Sequence, residues 1–261
     1  MTDCKSMSLS ANPNNRPSPT MAQKSEEERL QMEKTPLREA IGSLMYLMAM
    51  TRPDIALAVN QVAAFVSNPG PGHWEATKQI FSYLAGTANY GIFYGGPKSG
   101  NESSPLHGFT DANFAGDLIA RKSTTGLLFT FHEDTISWGS RRQRATALST
   151  TDAEFYAASE GAREAVWLKV LLTELNVNVG QIPIHCDSRC AISIIEDPED
   201  HKRVKHIDVK YFFVREQQQI GTIFMSSIST HDQLADMFTK PLGRTDFEKF
   251  RERMGIREIR Q

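Results

Sequence analysis

The order of apolar patterns in the second half of the chain is the feature that most restricts its fold. Three runs with strand-like patterns come first: LHGFTD (106–111), GLLFTFHE (126–133) and DTISWGS (134–140). The amphipathic run AEFYAASEGAREAVWLKVLLTELN then predicts a long helix that residues 149–152 can cap. Patterns for a strand, two helices, a strand and a short helix follow. This order predicts an α/β fold with a mixed five-stranded sheet: three antiparallel strands, then parallel additions, with helices on both faces.

The first half of the chain predicts a small helical segment instead. Residues 1–36 are rich in Ser, Pro, Asn and charge, which favours a mostly disordered lead-in with a short helix over SEEERLQMEK. Helical periodicity begins at Leu37, restarts after Pro53 and restarts again after Gly70-Pro71-Gly72, so we expect three helices. The predicted segments are the lead-in (1–36), the helical segment (37–94), a linker (95–105), the α/β domain (106–243) and a C-terminal helix or tail (244–261).

Composition limits the classes of function. A net charge of −2 provides no overall basic field, so nucleic acid would have to bind through local basic patches. The three cysteines form no CxxC pair, which argues against a zinc site and favours a reduced, intracellular protein, cytoplasmic or nuclear. The longest apolar run, IGSLMYLMAM, is shorter than the ~20 residues that span a bilayer, and the N-terminus lacks a signal pattern. We expect no membrane association.

Four acidic residues stand at the ends of predicted elements. Asp111 closes the first strand, Glu154 lies in the first turn of the long helix, Asp187 ends the fourth strand, and Asp236 lies among apolar residues of the last helix. Each alone has a simpler interpretation as a helix cap, a partner of the helix dipole or the polar side of a helix. Gathered together they would repel one another unless a cation neutralised them. Such a group would suit hard cations such as Mg²⁺, and two of these ions ~3.5–4 Å apart support in-line phosphoryl displacement.

Six motifs follow one another between about residues 106 and 243. They are FTDANFAGD, RKSTTGLLF, ISWGSRRQRATALSTTDAEFYAASEGAREAVWLKVLL, IHCDSRCAISI, HKRVKHIDVKYFFVRE and HDQLADMFTKPL. In this order they resemble the ribonuclease H domain of copia-type LTR retrotransposon polyproteins. The helical segment, REAIGSLMYLMAMTRPDIALAVNQVAAFVSNPGPGHWEATKQIFSYLAGT, resembles the connection between reverse transcriptase and ribonuclease H in those polyproteins. DCKSMSLSANPN resembles the last stretch of their polymerase region.

The resemblance implies a ribonuclease H-like fold and a set of metal ligands. By motif, Asp111 (FTDAN), Glu154 (AEFYAA), Asp187 (CDSRCA) and Asp236 (LADMFTK) match the family's ligands, and Glu154 is selected over Asp152. The implied activity is metal-dependent, endonucleolytic hydrolysis of the RNA strand of RNA·DNA hybrids with two Mg²⁺ ions, Mn²⁺ being the alternative. This sequence departs from the family's usual pattern at three positions, Asn113, Phe114 and Asp152. None of the three matches a metal ligand of the family. The reverse transcriptase segment Tyr-x-Asp-Asp does not occur in the chain, so we expect no polymerase activity.

Nucleic-acid contacts are expected at local basic runs, where simple solvent exposure is the alternative. Ser188 and Thr110, beside two of the acidic residues, are candidates for contacts with RNA 2′-hydroxyl groups. In the ribonuclease H fold a loop histidine near the last carboxylate can aid proton movement or product departure, and His231 matches that place. Trp74, Trp138 and Trp167 are expected in the core. The predicted nucleic-acid-binding residues are Arg121, Lys122, Arg141, Arg142, Lys205, His206 and Ser188.

Two other interpretations stay open. The chain could be a catalytically idle Pol remnant that binds nucleic acid or protein, because the helices of residues 37–94 would expose Leu, Met and Phe side chains. That surface would bind reverse transcriptase domains or a second copy of the chain. A Holliday-junction or transposase-type nuclease would share the metal site, but the motifs favour it less.

Overall fold

The computed structural model describes residues 4–95, 104–117, 120–196 and 208–259, without the side chains of 208, 209 and 211. The chain divides into a helical unit, Met1–Phe93 with Lys240–Gln261, and a sheet unit, Tyr94–Thr239. Among the described residues, no helix is both long enough and apolar enough to cross a membrane. The α-helices are α1 (Glu26–Glu33), α2 (Leu37–Met50), α3 (Ala56–Ala63), α4 (Pro71–Gly86), α5 (Thr150–Glu174), α6 (Arg189–Glu196), α7 (Asp208–Gln219) and α8 (Arg244–Arg253). The strands are β1 (Tyr90–Ile92), β2 (Leu106–Asn113), β3 (Thr124–Phe131), β4 (Asp134–Arg142), β5 (Ile182–Cys186), β6 (Ile223–Ser227) and β7 (Ile256–Glu258).

The sheet unit contains the predicted mixed sheet of five strands. Its spatial order is β4-β3-β2-β5-β6, with β2, β3 and β4 antiparallel and β5 and β6 added in parallel. His132 and Glu133 form the tight turn between β3 and β4, and both have positive φ (49° and 66°). A two-residue hairpin turn of type I′ requires positive φ at both positions. The predicted order of three antiparallel strands is confirmed.

Helix α5 lies close to the sheet because its inner face carries small residues. Ala157, Ala158 and Ala162 are fully buried there, and a Cβ on Gly161 would clash with the Cγ2 of Thr110 in β2. This close approach brings the first turns of α5 to the ends of the strands. Helices α6 and α7 pack against α5.

A short 3-10 helix, Leu234–Phe238, covers the other face of the sheet. A Cβ on Gly126 would come within 2.5 Å of the carbonyl oxygen of Ala235 in that helix. The next residue, Leu127, points the other way, towards Gly161 of α5. Successive residues of a strand face opposite sides, so helices lie on both faces, as predicted.

The core of the sheet unit fills the space between the sheet and α5 to α7. It includes Leu106, Phe129, Phe155, Ile184 and Ile195, all of which are at most 1% exposed. The prediction that all three tryptophans lie in the core is wrong for Trp167, which is 56% exposed, and Trp74 and Trp138 are only half-buried. Trp167 precedes the buried Leu168 and lies on the outer face of α5, since one residue turns a helix by about 100°.

The helical unit contains the three helices predicted within residues 37–87, here α2, α3 and α4. A buried polar network holds its parts together. The guanidinium of Arg52 donates to both carboxylate oxygens of Asp54 (3.0 and 2.8 Å) and to the backbone and side-chain oxygens of Thr87. The Tyr83 hydroxyl donates to the same carboxylate at 2.5 Å. The pKa of Tyr83 is raised, and burial is the main cause. Strands β1 and β7 form a two-stranded antiparallel sheet in this unit.

Residues 4–36 contain a 3-10 helix, Pro19–Met21, and α1, where the sequence predicted a mostly disordered lead-in. The Ser10 hydroxyl is buried and donates to the backbone oxygen of Asp54 at 3.0 Å, which fixes this stretch to the helices. On α2, the side chains of Met45, Tyr46 and Met50 are exposed. Association through residues 37–94 stays a prediction. Most of the predicted linker, 95–105, lies outside the described residues.

Candidate metal centre

The parallel pairing of β2 and β5 brings Asp111 and Asp187 to the same edge of the sheet. Phe109 of β2 pairs with His185 of β5, and each acidic residue lies two positions further along its strand direction. The carboxyl ends of adjacent parallel strands meet at one edge, so the two carboxylates become neighbours. The Thr230 hydroxyl donates to Asp187 Oδ2 at 2.8 Å. The N-cap of α6 is Ser188, whose hydroxyl accepts a hydrogen bond from Ala191 N, so Asp187 does not cap this helix.

The 3-10 helix Leu234–Phe238 adds Asp236 from the other side of β2. Gln233, which is fully buried, caps this helix through its side-chain oxygen, which accepts from Ala235 N. Its amide group donates to the carbonyl oxygens of Thr110 (3.0 Å) and His185 (3.3 Å), which belong to the two central parallel strands. The Thr239 hydroxyl donates to Asp111 Oδ2. Gln233 and Thr239 thus fix the 3-10 helix to the strands that carry Asp111 and Asp187.

Helix α5 supplies Glu154, the fifth residue of the helix, just beyond the predicted first turn. The neighbouring acidic residue, Asp152, has a different use. Its backbone N–H donates to the N-cap Ser149 and its carboxylate accepts from Leu148 N at 2.7 Å. Asp152 therefore stabilises the helix start, while Glu154 is 5% exposed and faces the acidic group.

The four carboxylates form two overlapping groups that share Asp187. In one, ligand atoms of Asp111, Asp187 and Asp236 all lie within 4.8 Å of one another, and in the other those of Glu154, Cys186 and Asp187 do. Asp111 and Asp236 are each 4% exposed. Burial, together with the nearby carboxylate of Glu154, raises the pKa of the Cys186 thiol to about 12. The thiol is protonated near neutral pH, so the available donors are hard carboxylate oxygens.

Two imidazoles lie side by side on β2 and β5. His107 Nδ1 and His185 Nε2 are 3.1 Å apart, and the rings are stacked with an interplanar angle of 9°. Burial, and then the neighbouring His107, lower the pKa of His185 to about 4. His185 is therefore neutral near pH 7.

Sequence reasoning missed the residues that hold the acidic side chains. Gln233, Thr239 and Thr230 lie within or beside the motif HDQLADMFTKPL that contains Asp236. Their polar side chains in an otherwise apolar segment were the available signal, because buried polar groups require hydrogen-bond partners.

The other predicted residues have varied surroundings. Arg121 is exposed, with positive φ (51°), and Arg141 is exposed at the end of β4. Arg142 pairs with Asp117 at 2.8 Å, and Lys122 Nζ donates to the backbone oxygen of Arg144 at 2.7 Å.

The remaining predicted residues are His231, Thr110, and the pair Lys205 and His206. His231 is exposed in the 3-10 helix Thr230–Asp232. The prediction for Thr110 is wrong, because its side chain is fully buried beneath α5 and cannot reach a bound duplex. Lys205 and His206 lie outside the described residues.

The sheet order, and the acidic quartet assembled where β2 and β5 end, define a ribonuclease H-like domain. Solved structures with likeness to the chain include the N-terminal RNase H domain of a Mycobacterium tuberculosis protein (13% identity, TM-score 0.39, 57% of this chain and 98% of that one). LC11-RNase H1 in complex with an RNA/DNA hybrid is another (11% identity, TM-score 0.38, 51% of this chain and 93% of that one). A scan against protein-family models finds no match.

Curated relatives give the family. The chain is 46% identical over 231 residues to the retrovirus-related Pol polyprotein from transposon TNT 1-94 of Nicotiana tabacum, and 42% identical over 226 residues to that from transposon RE1 of Arabidopsis thaliana. These alignments cover 88% and 86% of this chain. A secreted RxLR effector protein of Plasmopara viticola is 44% identical over 139 residues, 53% of this chain and 95% of its own length. The chain belongs to the family of copia-type, retrovirus-related Pol polyproteins, and spans 17% and 15% of the two polyproteins' lengths.

Proposed function

We propose that this chain is a metal-dependent endonuclease that hydrolyses the RNA strand of RNA·DNA hybrids. The observation that carries the proposal is the convergence of Asp111, Glu154, Asp187 and Asp236 from separate elements, with Asp187 common to both groups. Carboxylates held this close repel one another, and a fold that gathers four of them favours bound cations. Membership of the Pol family supports the choice of substrate.

The donors fit Mg²⁺, which prefers oxygen ligands, and Mn²⁺ is the alternative. Asp111, Glu154, Asp187 and Asp236 would hold two ions. When bound, such ions supply an activated water and stabilise the leaving oxygen in an in-line displacement at phosphorus.

The chain's own residues position these ligands and the substrate. The hydroxyl groups of Thr239 and Thr230 orient the carboxylates of Asp111 and Asp187, because each donates to one carboxylate oxygen. We assign His231, exposed beside Thr230, to proton movement or product departure. Phosphate contacts at Arg121, Lys122, Arg141, Arg142, Lys205 and His206, and a sugar contact at Ser188, would set the register of the duplex without reading bases.

The test is cleavage of an end-labelled RNA·DNA hybrid by the purified chain with Mg²⁺ and with a chelator. We expect Mg²⁺-dependent cutting of the RNA strand, lost in Asp187→Asn. The matched control is Asp232→Asn, which removes one charge at an exposed position outside the acidic groups and should cut at the wild-type rate. Cutting in chelator, or by Asp187→Asn at the wild-type rate, would contradict the proposal.

A second measurement separates an active enzyme from an idle remnant. Ions that bind only the folded chain raise its stability by about 2.7 kcal/mol at a hundredfold excess over Kd. Mg²⁺-dependent stabilisation with hybrid binding and no cutting would favour a binding module derived from Pol.

A further inference from the structure

A basic cleft of about 380 Å³ lies in the sheet unit, between α5, α7 and the ends of β3 and β4. None of the four carboxylates of the metal centre lines it. Five cations and a single carboxylate line it among the described residues: Arg141, Arg142, Arg144, Arg163, Lys210 and Glu160. An excess of positive charge in a concave site predicts an anionic ligand.

The single carboxylate lies between two of the cations. Both carboxylate oxygens of Glu160 accept hydrogen bonds from Nη1 of Arg163, at 3.1 and 3.2 Å. The Nζ atom of Lys210 lies 3.8 Å from Oε1 of Glu160. The same Nζ stands 2.8 Å from the centre of the Tyr156 ring. The Glu160 side chain is 20% exposed, whereas that of Arg163 is 65% exposed. Glu160 therefore occupies the position of an anion in this cleft.

We propose that the basic cleft binds the phosphodiester backbone of a nucleic acid, and that Glu160 is an internal counter-ion which a phosphate group displaces. A volume of about 380 Å³ exceeds what one carboxylate needs and lies in the range of sites for nucleotide-sized groups. Guanidinium groups suit phosphate oxygens because their donors form a planar fork.

The position of the cleft favours nucleic acid over an acidic peptide. Thr125 and Leu127 of β3 line it, and they pair with Ala112 and Thr110, the two residues that flank Asp111 in β2. Adjacent strands lie about 4.8 Å apart, so the cleft lies one strand away from the strand that carries Asp111, on the face of the sheet that packs against α5, and an extended polyanion can reach both. The inference rests on the proposed function in this respect, since it takes the ligand to be the same nucleic acid.

The internal counter-ion makes a prediction of opposite sign for two neighbouring residues. Glu160→Gln removes the competing anion and should tighten binding by about threefold to fivefold, the range expected for one exposed ion pair. Arg163→Gln removes a phosphate ligand, so it should weaken binding and lower the slope of log K against log salt by about one unit.

The test measures binding of a fluorescent RNA·DNA hybrid by anisotropy, in chelator so that nothing is cut, over a series of salt concentrations. Arg38→Gln, an exposed arginine of the helical unit, is the control for loss of one positive charge and should change neither affinity nor slope. The double variant Glu160→Gln with Arg163→Gln has the net charge of the wild type. It also controls for a folding defect that an unpaired Glu160 could cause in the single variant Arg163→Gln. It should bind about as weakly as Arg163→Gln.

The outcomes separate the cleft from the metal centre. Unchanged affinity and salt slope in Arg163→Gln, or weaker binding in Glu160→Gln, would overturn the proposal. Equal binding of polyglutamate, with the same dependence on both residues, would overturn the assignment to nucleic acid. Cleavage plays no part in this readout, so a chain that cuts nothing can still support the cleft, and an active nuclease can still refute it.

Discussion

Gln233 offers the sharpest test of how the fold assembles its acidic centre. Its side chain is fully buried and makes three hydrogen bonds, to the carbonyl oxygens of Thr110 and His185 and to Ala235 N. Gln233→Leu keeps a similar volume but removes all three. A hydrogen bond contributes about 1 kcal/mol net, and each buried carbonyl left without its donor costs more, so we expect a loss of about 3 kcal/mol.

Thermal unfolding followed by circular dichroism measures this loss. At about 2–4 °C per kcal/mol for a chain of this size, the melting temperature should fall by roughly 6–12 °C. The same change at exposed Gln219 is the control, and should stay within about 0.5 kcal/mol of the wild type. A Gln233→Leu protein that melts within about 1 °C of the wild type would refute the idea that this amide fastens the 3-10 helix to the sheet.

Three further predictions concern separate parts of the structure. Gly126→Ala should lower the free energy of unfolding by about 1–3 kcal/mol in a denaturant titration, and should lower cleavage, because the new methyl group pushes on the helix that carries Asp236. The control is Gly42→Ala, which has open space around it and should be neutral or stabilising. Asp152→Ala should lower stability by about 1 kcal/mol and keep cleavage, because Asp152 only caps the helix. Glu154→Gln should abolish cleavage and raise the melting temperature in chelator. Equal effects of the two variants on cleavage would contradict these roles. Burial lowers the pKa of His73, whose Nδ1 accepts from Gly70 N, so stability present above the unfolded-state pKa of about 6.5 should be lost as pH falls. His73→Gln should reduce this pH dependence, and the lowered pKa of His185 should account for part of what is left.

Local sequence patterns were enough to predict the elements, and the motifs were enough to predict the ligands. Alternating and helical patterns predicted the strand and helix order, and residues 149–152 marked the start of α5. These are local properties, because each depends on residues within a few positions of one another. The family motifs then selected Glu154 over Asp152 as a ligand, and the structure places Glu154 in the acidic group and Asp152 in the cap.

Which side chains come together depends on long-range packing and could not be predicted from local patterns. Asp111 and Asp187 become neighbours through the parallel register of β2 and β5, which no periodicity records. Burial also depends on packing, so Thr110 proved inaccessible and Trp167 exposed, against expectation. Gln233, far from Thr110 in the sequence, bonds to it because the chain returns to the same strand. Long-range contacts arise from the packing of whole elements, and a linear pattern carries little information about them.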